Sequence, residues 1–228
     1  MLAGMPAGQP TSPSRRQQSR RRQFSAATRR TLVDEAARLF AARGYAGASL
    51  DEIVTRAAVT KGALYHHFSG KQDIFRAVFV RTEEEAMASI RDQMAAETDA
   101  WDRARAGIRG FLDACQQPAY RRIVLQEGPV ALGIEHWRES EQRTTFGLLR
   151  GVIADLLADY DLDAALVDAF TQVFFGALSA AGQAVATAED TEDAGDRVGT
   201  ALAVILAGLR ALADGDAELA WSEAGLSR

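Results

Sequence analysis

The sequence predicts an all-α protein, with a small N-terminal helical domain followed by a larger one. Three observations predict it. Apolar residues recur at i, i+3, i+4 and i+7 through most of the 228 residues. No segment alternates apolar and polar residues as a half-buried strand does. Helix-start and helix-stop residues, such as Ser49, Ser69, Gly44 and Pro118, punctuate the periodic runs.

The elements follow in order. Residues 1–23 (MLAGMPAGQPTSPSRRQQSRRRQ) have no apolar period and read as a disordered basic arm. The arginines at 15–16 and 20–22 either solubilise the chain or follow a DNA backbone or minor groove. Leu32, Ala36, Leu39 and Phe40 form one face of a first helix, which stops near Gly44. SLDE at 49–52 is a capping box, and Ile53 and Ala57 give the short helix behind it an apolar face. VTKG at 59–62 reads as a turn, with Thr60 able to cap the helix that follows. In GALYHHF, at 62–68, Leu64 and Phe68 share the inner face. SGKQ at 69–72 reads as a second capping box. It opens a long helix burying Ile74, Phe75, Val78, Phe79, Thr82, Ala86 and Ile90. Two short helices with a compact turn, the second presenting polar and aromatic side chains outward, suit a helix-turn-helix reader of the DNA major groove.

Further helices are expected from Asp99 to about Gln117 and from Trp137 to Leu157, with a break at Gly128-Pro129 and a corner at Asp159-Tyr160-Asp161. The last two have apolar stripes. One carries Val167, Phe170, Phe174, Ala177, Leu178, Ala181 and Val185; the other carries Val198, Ala201, Leu202, Ile205, Leu209 and Leu212. An acidic segment, 189–196, reads as the loop between them. Gly176, Ala180, Gly182, Gly199 and Gly208 would let helix backbones approach closely. The pair therefore suits either internal packing or a four-helix bundle with a second copy.

Charge supports the nucleic-acid reading. Residues 1–81 hold 14 Lys and Arg against 5 Asp and Glu, a balance of +9. Residues 82–228 hold 12 against 26, a balance of −14. The overall charge of −5 hides a basic first third on an acidic body. Affinity for nucleic acid rests mainly on phosphate neutralisation, so the local excess is what counts. A single cysteine fits a reducing cytoplasm, and Cys115 reads as a packed apolar residue. No unbroken apolar run reaches the roughly 18 residues of a membrane span, and no signal-like apolar stretch opens the sequence. No Gly-rich phosphate loop, G-x-S-x-G elbow or metal motif appears. His66 and His67 are adjacent on a helix and point about 100° apart, which does not make a metal pair. No catalytic residue, metal or cofactor is expected.

Residues from about 26 to 86, with RGYAGASLDEIV, VTKGALYHHF and SGKQDIFRAV, resemble the DNA-binding domain of tetracycline-repressor (TetR) family transcriptional regulators. The segment EGPVALGIEHWRE resembles part of a C-terminal domain common among actinobacterial members. The resemblance implies a helix-turn-helix domain over 24–70 and a helical effector-binding and dimerisation domain over 71–228. It implies a homodimer on a palindromic double-stranded operator, with repression relieved by a small molecule. It places a phosphate contact at Ser49. Thr60, Lys61, Gly62 and Ala63 then approach base edges, Tyr65 and His66 face phosphate and sugar, and Lys71 pairs with phosphate.

Trp101, Phe111, Tyr120, Trp137, Phe146, Phe170 and Phe174 suit the walls of a mostly apolar effector cavity. Arg121, Arg122 and Glu127 are either its anchors or surface charge, and His136 is either a pocket donor or a helix-surface residue. The dimer seam is expected at Phe170, Phe174, Ala177, Ala181, Leu202, Ile205 and Leu209. Two alternatives stay open: an architectural DNA-binding protein with no ligand, and an all-helical enzyme. A closed apolar cavity in the C-terminal domain separates the first from a ligand-regulated protein.

Overall fold

The computed structural model describes residues 15–158 and 163–211. Among these residues the chain forms α-helices and two π-helical segments, with no strand. The helices are α1 (Arg15–Gly47), α2 (Leu50–Arg56), α3 (Lys61–His67), α4 (Lys71–Ala95), α5 (Ala100–Gln116), α6 (Pro118–Tyr120), α7 (Gly128–Leu132), α8 (Ile134–Glu141), α9 (Gly147–Leu156), α10 (Ala164–Thr187) and α11 (Thr191–Ala211). The π-helical segments are Arg121–Glu127 and Gln142–Phe146.

Helix α1 starts earlier than composition suggests. Residues 15–23, expected within a disordered arm, are helical and continuous with α1. Arg and Gln are good helix formers, and no proline follows Pro13 to stop them. Residues 1–14 lie outside the described residues. The regular path of α1 is interrupted at Gly44, with φ 70° and ψ 176°, as its glycine predicts.

The first three helices close around Leu32, Ala36, Leu39, Phe40, Ile53, Leu64 and Phe68, all buried. Helix α4 adds Ile74 and Phe75 to this core. The Phe75 ring meets Phe40 and Tyr45 edge-on at 5.0 and 5.1 Å. Such pairs contribute roughly 0.5–1.5 kcal/mol each beyond their buried area. The N-terminal end of α4 is thus part of the core of the first three helices.

One helix start differs from its expected capping box. Gly70, not Ser69, precedes α4, and no side chain caps that helix directly. The Ser69 backbone N–H donates to Asp73 Oδ2 at 2.9 Å, while Gln72 Nε2 donates to Ala131 O at 2.8 Å. The partner is therefore Asp73, because the helix begins one residue later than an S-x-x-Q box requires. Between α5 and α10, two chain features loosen the regular helical path. Pro129 has no N–H to offer the Leu125 carbonyl, and the π-helical turn lies just before it. Gly128, between that segment and Pro129, is wedged where an added Cβ would lie 2.8 Å from Phe79 and 2.9 Å from Trp137. Only glycine allows that approach of the two layers. Residues 191–196, expected as loop, form the first turns of α11, because Asp190 Oδ1 accepts from the N–H groups of Glu192 and Asp193.

The turn of the helix-turn-helix lies one or two residues earlier than expected. Ala58, between α2 and α3, has φ 52°. Left-handed backbone costs an L-residue roughly 1 kcal/mol or more. Ala58→Gly is expected to stabilise the protein by about 0.5–1 kcal/mol, the strain relief exceeding glycine's added unfolded-state entropy. Urea denaturation of the two proteins checks it, and an unchanged or lower midpoint counts against it.

Helix α4 buries one carboxylate. Glu83 is 3% exposed, and its Oε2 accepts from Ser140 Oγ at 2.6 Å. Burial pushes its carboxyl up to about 7; the Ser140 hydroxyl and Arg143 pull it down in part, and Glu84 pushes it up. The folded state favours the neutral acid, so folding takes up a proton between the ordinary 4.5 and about 7. That stability is fully present below pH 4.5 and lost as pH rises through about 7. Glu83→Gln keeps an acceptor for Ser140 and cannot ionise. It is expected to gain on the order of 2–3 kcal/mol at pH 8 and little near pH 4. A stability difference that stays constant across that range in denaturant titrations would refute the assignment.

Candidate functional site

The outer face of α3 is built by the same spacing that builds its inner face. Leu64 and Phe68 fix the helix against the core, which turns Lys61, Gly62, Tyr65 and His66 outward. Tyr65 is 59% exposed, although it is a large aromatic ring. Ala63 is half-buried, so it offers only part of a methyl group. Thr60 caps the helix, its hydroxyl accepting from Ala63 N–H at 3.1 Å. Ser49 does the same for α2, accepting from Glu52 N–H at 3.2 Å. Both hydroxyls keep a proton to donate outward.

Two basic residues frame this face. Lys61 Nζ lies 2.7 Å from Asp51 Oδ1 on α2, and the hydrogen bond to that carboxylate holds the ammonium pKa above its ordinary 10.5. The pair is exposed, so an approaching phosphate can displace Asp51 at small cost. Lys71 is held differently. Its Nζ sits 4.6 Å above the Tyr45 ring and donates to Ala46 O at 3.3 Å. Arg29 lies over Phe68 at 5.2 Å. Asp51 and Arg29 were not singled out in the sequence; a position at the first turn of α2 and the +9 balance were the signals for them. His66 is exposed, and no metal-binding group of His, Cys, Asp or Glu occurs among the described residues.

A cavity lies in the second half of the chain, between α5, α9, α10 and α11. Of the expected wall residues, Trp101, Phe170 and Phe174 line it. Phe111, Tyr120, Trp137 and Phe146 do not. Phe111 and Tyr120 are buried core. The Trp137 indole N–H donates to Val124 O at 3.0 Å, satisfying a carbonyl in the first π-helical segment. Phe146 packs edge-on against Phe175. The remaining walls are aliphatic, chiefly Leu149, Val152, Ile153 and Leu156 from α9 and Leu206 from α11. The i, i+3, i+4, i+7 spacing on α9 is their signal in the sequence, and none of them is aromatic. His136 is exposed and away from the cavity, and Arg122 pairs with Glu127 at 3.3 Å. Cys115 is fully buried.

Residues 32–78 match the model of bacterial regulatory proteins of the tetR family, and residues 101–209 match the tetracyclin repressor-like C-terminal domain. The regulator TtgW of Pseudomonas putida is 31% identical over 114 residues, 49% of this chain and 82% of that protein. The chain belongs to the TetR family of transcriptional regulators. The transcriptional activator FasR of Mycolicibacterium smegmatis is 36% identical over 94 residues, 40% of this chain and 43% of FasR, so the match spans under half of that relative. Among solved structures, the TetR-family regulator ECA1819 of Pectobacterium atrosepticum aligns with a TM-score of 0.71 at 28% identity, covering 82% of this chain and 96% of that one.

The outer face of α10 and α11 is the second expected site. Here the structure redistributes the residues expected at a dimer seam. Ala181 and Leu202 are buried within the chain. Phe170, Phe174 and Leu209 line the cavity. Ala177 is half-buried and Ile205 is 50% exposed. Val173 and Val204, just beside the large-residue stripe, are 70% and 66% exposed. Leu212 lies outside the described residues. Helix α10 is also long and apolar enough to cross a membrane, with a mean hydropathy of 1.5 over 18 residues, although polar residues interrupt its apolar run. Only 17% of that window is buried by the rest of the chain.

Proposed function

We propose that this TetR-family protein is a homodimeric cytoplasmic repressor, released from a palindromic operator by a small molecule that enters the cavity between α5, α9, α10 and α11. The cavity carries the reading. It is lined almost wholly by apolar side chains, and α5, which forms one wall, packs along α4. Helix α4 reaches from there to the DNA-binding core through Ile74 and Phe75. A ligand that spreads α5 from α9 to α11 would tilt α4 and change the spacing of the two recognition helices. A purely architectural DNA-binding protein needs no such cavity.

Ser49, Thr60, Lys61, Gly62, Ala63, Tyr65, His66 and Lys71 are the proposed DNA contacts. Lys61→Ala is expected to change base preference, since a lysine at the start of α3 can donate to guanine acceptors. Lys71→Ala is expected to weaken all duplexes alike and lower the salt slope by about one unit. Equal affinity of the unaltered protein for its operator and for random duplex would exclude sequence-specific reading. Release is tested by operator affinity with and without a ligand shown to bind. A coupling of roughly 1–3 kcal/mol weakens operator binding about 5- to 150-fold. Equal affinities at saturation would leave the architectural alternative.

A further inference from the structure

The first turns of α2 and α3 meet on the DNA face, and there they set opposite charges side by side. Asp51, in the first turn of α2, holds its carboxylate 2.7 Å from the ammonium of Lys61, the first residue of α3. The two side chains are 69% and 64% exposed, and an exposed pair of this kind contributes little to stability. The preference of a helix start for negative charge is also met by Glu52, which bonds Arg43 at 2.8 Å and lies 3.5 Å from Arg56. A face that only neutralised phosphate would have no use for Asp51. Its charge cancels that of Lys61 and opposes the DNA backbone. Helix α3 itself holds no acid. Reading a base pair does have a use for a carboxylate. In the major groove a G·C pair shows guanine O6 and N7 as acceptors beside the cytosine N4 amino donor. O6 and N4 are hydrogen-bonded to each other, so they lie about 2.9 Å apart. Asp51 and Lys61 show the complementary order, an acceptor beside a donor, at 2.7 Å.

We propose that Asp51 is a specificity-determining residue: together with Lys61 it reads one G·C base pair as a unit, with the carboxylate on cytosine N4 and the ammonium on guanine O6 and N7. The proposal rests on the DNA-contact reading of Lys61 above and adds a second reader from α2. Lysine is a known kind of donor to guanine, and aspartate a known kind of acceptor from cytosine. The two engage one base pair without having to part. Lysine alone meets any phosphate equally well, so it discriminates poorly. With Asp51 beside it, random duplex is penalised as well. There the carboxylate faces phosphate and finds no amino group to accept from. Specificity then has two sources, a gain on the right base pair and a repulsion elsewhere.

The test uses the full chain, its Asp51→Ala, Asp51→Asn and Lys61→Ala variants, and a pool of random-sequence duplexes. Selection from the pool followed by sequencing gives the base preference at each position. The unaltered protein is expected to prefer G·C at the base pair that Lys61→Ala relaxes. Asp51→Ala, which removes the acceptor, is expected to relax that same base pair, lowering its preference roughly 10-fold. Asp51→Asn, which keeps the shape and drops the charge, is expected to bind unselected duplex about 3- to 10-fold more tightly at low salt, with the gain fading at high salt. A carboxylate that only stabilised the start of α2 would shift the urea midpoint and leave base preference alone. If Asp51→Ala leaves the preference unchanged, or relaxes a base pair that Lys61→Ala does not, the joint reading is overturned. If the shared base pair is A·T, the assignment of cytosine and guanine is overturned. A random-duplex affinity that does not rise in Asp51→Asn overturns the repulsion. If Lys61→Ala also changes no preference, the base contact proposed for Lys61 fails too. If Lys61→Ala alone changes it, only the role of Asp51 fails.

Discussion

Replacing Gly44 by alanine is expected to cost the protein about 3 kcal/mol or more and to abolish tight operator binding. The backbone there has φ 70° and ψ 176°, a region essentially reserved for glycine. Holding another residue in it costs roughly 1–3 kcal/mol. Space is the second obstacle. An added Cβ would lie 2.2 Å from Glu127 Oε1 and 2.7 Å from an Arg122 guanidinium nitrogen. Those two side chains belong to the first π-helical segment and pair with each other across the glycine. The alanine must therefore push the segment away or unwind the end of α1. Either movement disturbs Tyr45, whose ring holds Lys71 and Phe75 in place. Denaturant titration measures the stability, and a fluorescent operator measures the binding. A triple variant, Gly44→Ala with Arg122→Ala and Glu127→Ala, is expected to recover the steric part of the loss but not the part due to φ. Full recovery would show that backbone strain at Gly44 contributes nothing.

That contact also shows why part of the fold was legible in the sequence and part was not. The DNA-binding unit was readable because its signals are local. Ser49 and Thr60 cap their helices through bonds three residues away, and Leu64 and Phe68 lie four apart on one face. Gly44 could be recognised as a helix stop for the same reason. Its second role, leaving room for Glu127, depends on a residue 83 positions later, and no short pattern carries that. Glu83 illustrates the same limit. An acidic residue in EEE, at 83–85, normally reads as solvated, and only the packing of α8 places Ser140 over it. The cavity was misjudged for a different reason. Large aromatic residues were expected to line it, yet Trp137 and Tyr120 are used to fill the core beneath α4 and the first π-helical segment, and aliphatic side chains of α9 form the wall. Ring size says that a residue will be buried somewhere. It does not say which side of a helix faces an empty space.

Substituting glutamate at both Val204 and Ile205 is expected to convert the proposed homodimer into a folded monomer with no measurable affinity for a palindromic operator. The two side chains are 66% and 50% exposed within one chain, and Val173 on the adjoining helix α10 is 70% exposed. Gly176 and Gly208 have nothing within 4 Å of an added Cβ, so the backbones nearby are also uncovered. Helix α10 is strongly apolar, yet the chain itself hides little of it. A second copy laid on this face would bury it by twofold symmetry, making a four-helix bundle from two helix pairs. In that seam each glutamate is an unpaired buried charge. The penalty is several kcal/mol, and symmetry imposes it on both protomers. The dissociation constant should rise by about three orders of magnitude or more, since each 1.4 kcal/mol is a factor of ten. The monomer itself should survive, because neither residue is part of its core. Leu202→Glu makes the contrast. Leu202 is 7% exposed and packs inside the chain, so that change should lower the stability of the monomer as well as the dimer. Sedimentation at micromolar concentration, with circular dichroism to follow helicity, separates the two variants. A Val204→Glu/Ile205→Glu protein that still sediments as a dimer would move the seam away from α10 and α11.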